Sequence, residues 1–269
     1  MMTYRELIKS GEKKAQEKEA IWYLVTELTS LSRTEILLKM EEPIPEKWIA
    51  LLQDAMDRYC EKNIPVQYIV GHTYFYGLKL FVAPTVLIPR FETEELVEKT
   101  MILGEKQSHQ SIVDVGCGSG CIAIALQKKW PAAQIDAIDI SPEALDIAKK
   151  NADFHHCPIR FMQNDLLTGI YRKYDIIISN PPYIDPQEEV DQLVKNNEPN
   201  LALFSGNHGL DHYSRLIPQA KSCLKPNGFL ALEIASNKRM EIEEIGRKYF
   251  TDITCYFDLQ QKARILIMR

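Results

Sequence analysis

A chain of 269 residues, 45% apolar and 26% charged, describes a globular protein with a sizeable core, in one large domain or two unequal ones. The formal net charge of −5 argues against a nucleic-acid partner, whose phosphates demand a basic surface. The opening Met1-Met2-Thr3-Tyr4-Arg5-Glu6 lacks a signal-peptide core and no apolar run reaches membrane-spanning length, so a cytoplasmic protein with no membrane partner is expected.

Helices are predicted over the first part of the chain. Thr3-x-x-Glu6 and Ser32-x-x-Glu35 each resemble a capping box before apolar residues. Between them Ile21, Trp22, Leu24, Val25 and Leu28 recur at helical spacing. Pro43 and Pro45 open a third helix, whose stripe is Trp48, Leu51, Leu52, Ala55, Met56 and Tyr59. Residues 1–70 hold 10 Lys/Arg against 12 Asp/Glu, a balance of −2, so this helical domain is no basic clamp and suits a protein or small-molecule partner better.

From Gln67 the pattern changes. Tyr74 to Val82 and Thr85 to Ile88 are β-like runs separated by Ala83-Pro84, predicting a hairpin linker over 71–90. Thr93 is the expected cap of a helix running to about Thr100. Strands are predicted at 111–115, 134–138, 158–162, 174–179 and 229–234, with helices near 119–129, 141–152, 209–223 and 237–249. Ser141-Pro142-Glu143 combines a capping hydroxyl, a first-turn proline and a dipole-matched acid. Lys225-Pro226-Asn227-Gly228 reads as a turn before a buried strand. Two final strands, about 251–257 and 263–268, are joined too briefly for parallel pairing. The fold class is therefore α/β: a Rossmann-like, doubly wound, mainly parallel seven-stranded sheet with an antiparallel last strand.

Six scattered cysteines (Cys60, Cys117, Cys121, Cys157, Cys223, Cys255) include no Cys-x-x-Cys pair, so free thiols are expected, and no metal site. His155-His156-Cys157 lacks a second ligand pair and reads as a surface loop.

The chemistry is concentrated at strand ends. Asp175-Ile-Ile-Ile-Ser179 runs into Asn180-Pro181-Pro182-Tyr183. The prolines stiffen the turn, and the Asn180 side-chain oxygen and Pro181 carbonyl supply two acceptors, enough to grip both hydrogens of one amine. Tyr183 can stack on the flat group carrying that amine. Pro-Pro alone would merely end a strand.

The first parallel strand leads into Asp114-Val115-Gly116-Cys117-Gly118-Ser119-Gly120. This G-x-G-x-G loop is tighter than the dinucleotide fingerprint and follows an acid that would repel a pyrophosphate but suit an ammonium and a sulfonium. The second strand ends at Asp139, whose carboxylate can accept two ribose hydroxyls. The third ends at Asn164-Asp165-Leu166, where Asp165 could accept from an adenine amine and Leu166 wall the ring. Any one of these residues is ordinary as a cap or loop. Four consecutive strand ends with polar groups point to binding.

This set resembles the class I S-adenosylmethionine-dependent methyltransferases that act on planar amino groups. Val66-Gln67-Tyr68-Ile69-Val70-Gly71, Phe75-Tyr76-Gly77, Val86-Leu87-Ile88-Pro89-Arg90 and Glu198-Pro199 with Ala202-Leu203-Phe204 narrow the resemblance to the HemK-type release factor glutamine methyltransferases, across essentially the whole chain. The resemblance implies methylation of the Gln amide in the Gly-Gly-Gln loop of bacterial peptide chain release factors, leaving S-adenosylhomocysteine. It also implies a helical substrate-recognition domain (1–70), the hairpin linker, a catalytic domain (91–269) and a monomer. Phe91, often proline in the family, and Ala235-Ser236-Asn237, where the family often reads Gly and a later Gln, depart from its pattern.

On this reading Asn180 and Pro181 accept the amide N–H groups, Tyr183 stacks, and no His or Glu base is needed. Arg90, Glu92 and Thr93 either close over the cofactor and incoming loop or form an interdomain salt link. The rival functions are a nucleic-acid exocyclic-amine methyltransferase, which would need a basic groove and a flipped-base pocket, and a non-catalytic cofactor-binding module, which would lack the amine-gripping Asn.

Overall fold

The computed structural model describes residues 2–105 and 110–269; Met1 of the opening stretch and residues 106–109 of the expected catalytic range fall outside it. The chain divides into two compact units, Met1–His72 with Asp191–Asn197, and Thr73–Val190 with Glu198–Arg269.

The first unit is helical: Tyr4–Lys14, Lys18–Thr29, Arg33–Leu38, Glu46–Cys60 and Val66–Val70. Both capping boxes form, Thr3 with Glu6 and Ser32 with Glu35, each reciprocally bonded. The Ser32 box starts a separate short helix, so the helix opened by Pro45 is the fourth. On it Leu52, Ala55, Met56 and Tyr59 are buried, whereas Leu51 lies off the stripe at 41% exposure. Helix Gln192–Asn197, absent from the sequence reading, returns to this unit. Its Leu193 packs against the unit's core and Asn197 Nδ2 donates to the Asn63 carbonyl at 2.7 Å.

The second unit opens with β1 (His72–Phe75) and β2 (Leu78–Phe81), with the boundary between units falling inside β1. The hairpin turns at Tyr76-Gly77, not at Ala83-Pro84, and 85–88 is not a strand. Both turn residues have positive φ (50° and 72°), the backbone that a two-residue hairpin requires. Helix Phe91–Gly104 follows. Arg90 stands at its cap position without a side-chain capping bond, and Thr93 is three residues further on and buried, so Thr93 is not the cap.

Strands β3 (Ser111–Val115), β4 (Gln134–Asp139), β5 (Arg160–Gln163), β6 (Tyr174–Ser179), β7 (Leu224–Glu233), β8 (Ile253–Phe257) and β9 (Ala263–Met268) form one sheet in the order β5-β4-β3-β6-β7-β9-β8. The β3–β7 ladders are parallel; β9 runs antiparallel between β7 and β8. Alternate residues feed two cores. Ile112, Ile176, Ile178, Phe229 and Ala231 meet Leu96, Ile122 and Ala148 on one face, while Val113, Ile177, Leu230 and Leu232 meet Tyr213, Ile217 and Ile242 on the other. Lys225-Pro226-Asn227-Gly228 lies within β7, where the register with β6 jumps from Leu224 to Phe229, so it is an irregularity of that strand and not a turn before it.

Ser141 caps helix Pro142–Phe154 by accepting the Ala144 amide at 3.1 Å. At its far end the His155-His156-Cys157 stretch is a turn, as expected, with His156 exposed; it is anchored by His155 Nε2, 2.7 Å from the Lys79 carbonyl, and by the buried Cys157. The parallel order reverses direction at β3, between β4 and β6. The carboxyl ends of β3, β4, β5 and β6 consequently share one edge, where open α/β sheets bind ligands.

Candidate active site

After β3, Gly116, Gly118 and Gly120 all have positive φ (73°, 53° and 80°). A Cβ added at Gly116 or Gly118 would meet nothing within 4 Å, so backbone at these two positions borders open space. At Gly120 it would lie 3.2 Å from Ala148 Cβ, which is helix packing. Cys117 and Ser119 belong to the loop through their backbones. Cys117 N–H donates to the Ile138 carbonyl at 2.9 Å while its side chain packs in the core. The Ser119 carbonyl accepts Asn151 Nδ2 at 2.9 Å. Asn151 also exchanges two hydrogen bonds with the Phe81 backbone, tying β2, the loop and helix Pro142–Phe154 together.

Asp114 lies beneath this loop, fully buried. Its Oδ2 accepts the Ala123 amide at 3.1 Å, and Oδ1 has no partner among the described residues. Burial, with the charge of Asp139 adding to it, pushes its carboxyl up to about 7. The acid thus sits behind the loop and not beside its open face.

Asp139 holds the loop from the next strand end: Oδ2 accepts Gly118 N–H at 2.8 Å and Oδ1 accepts Ser141 N–H at 3.0 Å. Burial raises its pKa against those bonds. With the Ile140 amide as a further donor, the carboxylate still keeps acceptor capacity for a ligand hydroxyl. Asn164 spends its side-chain N–H groups on the carbonyls of Leu166 (3.0 Å) and Thr168 (2.9 Å), which is turn-building. Asp165 is paired with Arg215 through Oδ2. Leu166, at φ 51°, is mostly buried in the second core.

At the end of β6, Asn180 Nδ2 donates to Thr93 Oγ1 at 3.0 Å. Thr93 donates in turn to Glu233 Oε2 at 2.7 Å, and the Tyr183 hydroxyl lies 3.5 Å from Glu233 Oε1. No hydrogen bond reaches Asn180 Oδ1 or the Pro181 carbonyl among the described residues, leaving both acceptors of the expected grip available. Burial, then Glu233, pushes the Tyr183 phenol up, so it stays protonated. Pro181 is buried and Pro182 partly so.

The chain beyond Tyr183 is clamped. Lys238 Nζ donates to the Tyr183 carbonyl at 3.4 Å and to Glu188 at 2.6 Å. Gly209, at φ 83°, packs so closely that a Cβ would strike the Tyr183 carbonyl. Ile184 bridges to Phe204, with Ile184 N–H on the Leu203 carbonyl and Ser205 N–H on that of Ile184. Glu198, buried, accepts from Arg90 and, at 3.1 Å, from Ile88 N–H. Arg90 is therefore held by a carboxylate of its own unit. Thr93, expected as a helix cap and over the cofactor or incoming loop, stands behind Asn180 instead, and Glu233, Lys238 and Asn151 are supporting residues that the sequence does not single out.

The Methyltransferase small domain family matches residues 93–201, the PrmC N-terminal domain residues 5–71, and the Eco57I restriction-modification methylase family residues 152–261. A methyltransferase from Pyrococcus furiosus superposes with a TM-score of 0.53 at 18% identity, over 72% of this chain and 89% of that one. A T. thermophilus 16S rRNA methyltransferase in complex with AdoMet and guanosine superposes at 0.56 with 14% identity, over 74% and 49%. The fold is that of the Rossmann-like methyltransferases. A release factor glutamine methyltransferase of Lactococcus lactis is 40% identical over 257 residues, 94% of this chain and 93% of its own. One of Koribacter versatilis is 41% identical over 224 residues, 82% and 79%. At that identity over most of both lengths, the chain belongs to the release factor glutamine methyltransferase family.

Proposed function

We propose that this protein methylates the side-chain amide nitrogen of the glutamine in the Gly-Gly-Gln loop of bacterial peptide chain release factors, using S-adenosylmethionine, as a cytoplasmic monomer. The observation that carries the reading is Asn180, whose Nδ2 is committed to Thr93 while its Oδ1 is left to accept, at the end of β6.

The cofactor suits the residues present. Gly116 and Gly118 border open space, Asp139 retains acceptor capacity for a ligand hydroxyl, and the Asp114 carboxyl, once ionised, puts negative potential behind the loop. When bound, S-adenosylmethionine supplies an electrophilic methyl group. Everything else falls to the protein. An amide nitrogen is a weak nucleophile because its lone pair is delocalised into the carbonyl. Asn180 Oδ1 and the Pro181 carbonyl each accept one N–H, which orients the amide and stabilises positive charge growing on its nitrogen. Preorganised partners of this kind contribute on the order of 3–4 kcal/mol elsewhere. Tyr183 stacks on the amide plane, with its hydroxyl anchored toward Glu233. Asp165 and Asn164 serve the cofactor side with whatever acceptor capacity Arg215 and the turn leave them.

The test uses labelled S-adenosylmethionine with a release factor, its Gln-to-Ala form and duplex DNA. Label is expected on the intact release factor alone; label on DNA would overturn the reading in favour of a nucleic-acid amine methyltransferase. Asn180→Ala should lose methyl transfer by at least about 100-fold while S-adenosylmethionine still binds by equilibrium dialysis. Near-normal turnover would remove Asn180 from the grip.

A further inference from the structure

We propose that Thr93 and Glu233 are positioning residues that dictate which end of the Asn180 amide faces the substrate, and that the relay works only with Glu233 ionised. The proposal rests on Asn180 as the group that accepts the substrate N–H.

Counting donors and acceptors fixes the orientation of the Asn180 amide. A threonine hydroxyl has one hydrogen. Thr93 is 3% exposed and spends that hydrogen on Glu233 Oε2 at 2.7 Å, so only lone pairs remain for Asn180 at 3.0 Å. Asn180 must then turn its Nδ2 to Thr93 and keep Oδ1 for the substrate. Protonate Glu233 and the sequence can invert. The carboxyl O–H donates to Thr93, the Thr93 hydrogen swings to Asn180, and the amide rotates to present Oδ1 to Thr93. The substrate amine would then meet an –NH2 group, donor against donor.

The surroundings of Glu233 make such a proton available near neutrality. It closes β7 at 2% exposure. Thr93 and Glu92 face it from helix Phe91–Gly104, Tyr183 from the turn after β6, and Arg264 from β9. Tyr213 of helix Asp211–Cys223 donates to its backbone carbonyl at 3.0 Å, and Cys121 of helix Cys121–Lys129 feels its charge. Arg264, the one cation among these groups, is bonded to Asp258 at 3.2 Å. Burial outweighs the Thr93 bond and Arg264, and lifts the Glu233 carboxyl to about 7.

The experiment is a pH profile of single-turnover methyl transfer to the release factor, run on wild type, Thr93→Val, Thr93→Ser, Glu233→Gln and Asn180→Ala, with S-adenosylmethionine affinity measured alongside. At saturating S-adenosylmethionine, where loss of cofactor affinity through Asp114 is masked, wild-type turnover should rise with pH as one group near 7 loses its proton. Thr93→Val should lower turnover about 10- to 100-fold, the scale of a misaligned reacting group, without changing cofactor affinity. Thr93→Ser should restore it. Glu233→Gln keeps an oxygen that can accept from Thr93 but cannot titrate, so the acidic limb of the profile should vanish. Full turnover in Thr93→Val, or the same acidic limb in Glu233→Gln, overturns the relay. If Asn180→Ala is active, the reading of Asn180 itself has failed. If Asn180→Ala is inactive while the other variants match wild type, only the relay has failed.

Discussion

Asp114→Asn should leave the fold in place and change how its stability depends on pH. The substitution keeps the shape of the side chain and removes its ability to ionise. In the wild type, burial and the neighbouring charge of Asp139 lift the carboxyl from 3.8 to about 7 against one amide bond from Ala123. Between those values the folded chain holds a proton that the unfolded chain has released. Wild-type stability therefore falls as pH rises from about 4 to about 7 and levels off above. At about 1.4 kcal/mol per unit the whole cost is roughly 4 kcal/mol, of which about 2.5 kcal/mol accrues between pH 5 and pH 8. Urea unfolding of both proteins at pH 5, 6.5 and 8 measures this directly. The variant's stability, relative to wild type, should climb by that amount across the series, whatever its offset at pH 5. The offset itself depends on whether the new amide nitrogen finds an acceptor where Oδ1 had no partner. Parallel stability curves would refute the reasoning, because they would mean Asp114 does not titrate in this range.

Gly118→Ala should cost only about 1–2 kcal/mol of backbone strain, since its Cβ meets no protein atom, yet weaken S-adenosylmethionine binding at least tenfold in equilibrium dialysis. Gly120→Ala should do the reverse, lowering the urea midpoint through its contact with Ala148 before it affects affinity. Gly209→Ala should lose about 2 kcal/mol or more and much of the turnover, because its Cβ displaces the Tyr183 carbonyl; unchanged turnover would mean that Tyr183 tolerates movement. Glu198→Gln should destabilise by about 1–2 kcal/mol, less than a fully buried pair because Arg90 is 36% exposed, and thermal unfolding would read the loss.

The local features of the fold were legible because each has a short-range cause. Both capping boxes, the Ser141-Pro142 helix start, the ends of β3 and the antiparallel last pair follow from residues within a few positions of one another. The hairpin was misplaced because its turn is Tyr76-Gly77, with a tyrosine at positive φ where Asn or Asp is the usual signal, while Ala83-Pro84 looked like a turn. A threonine before an apolar run has the look of a cap, and nothing local to Thr93 says otherwise. Its actual partners, Asn180 and Glu233, are 87 and 140 positions away, and no periodicity reports such a pairing. The same holds for Glu198 with Arg90, and for the excursion of Asp191–Asn197 into the helical unit. The glycine loop, Asp139 and Asn180 could be anticipated as strand-end residues. That Asn164, Asp165 and Arg90 are already engaged by neighbours could not, since a polar side chain at a strand end looks the same whether it caps, pairs or binds.

The treatment of buried acids separates stability from function in this molecule. Asp136, 1% exposed, is saturated by Arg160, Arg172 and the Tyr174 hydroxyl. Asp258, 5% exposed, accepts from Gln260 and Lys262 amides and from Arg264. Where nothing but folding is at stake, the chain supplies a buried carboxylate with cations and donors. Asp114 and Glu233 are equally buried and are not so supplied: one has an oxygen without a partner among the described residues, and the other relies chiefly on a neutral hydroxyl. Both lie at carboxyl ends of strands around the proposed site. A negative charge behind the glycine loop and an acceptor behind Thr93 are what the proposed site gains from them, and it follows that Asp114→Asn and Glu233→Gln gain stability relative to wild type as pH rises from 5 to 8 while losing, respectively, cofactor affinity and the pH response of turnover. A variant that gained stability with neither loss would break the link between these two carboxylates and the chemistry above them.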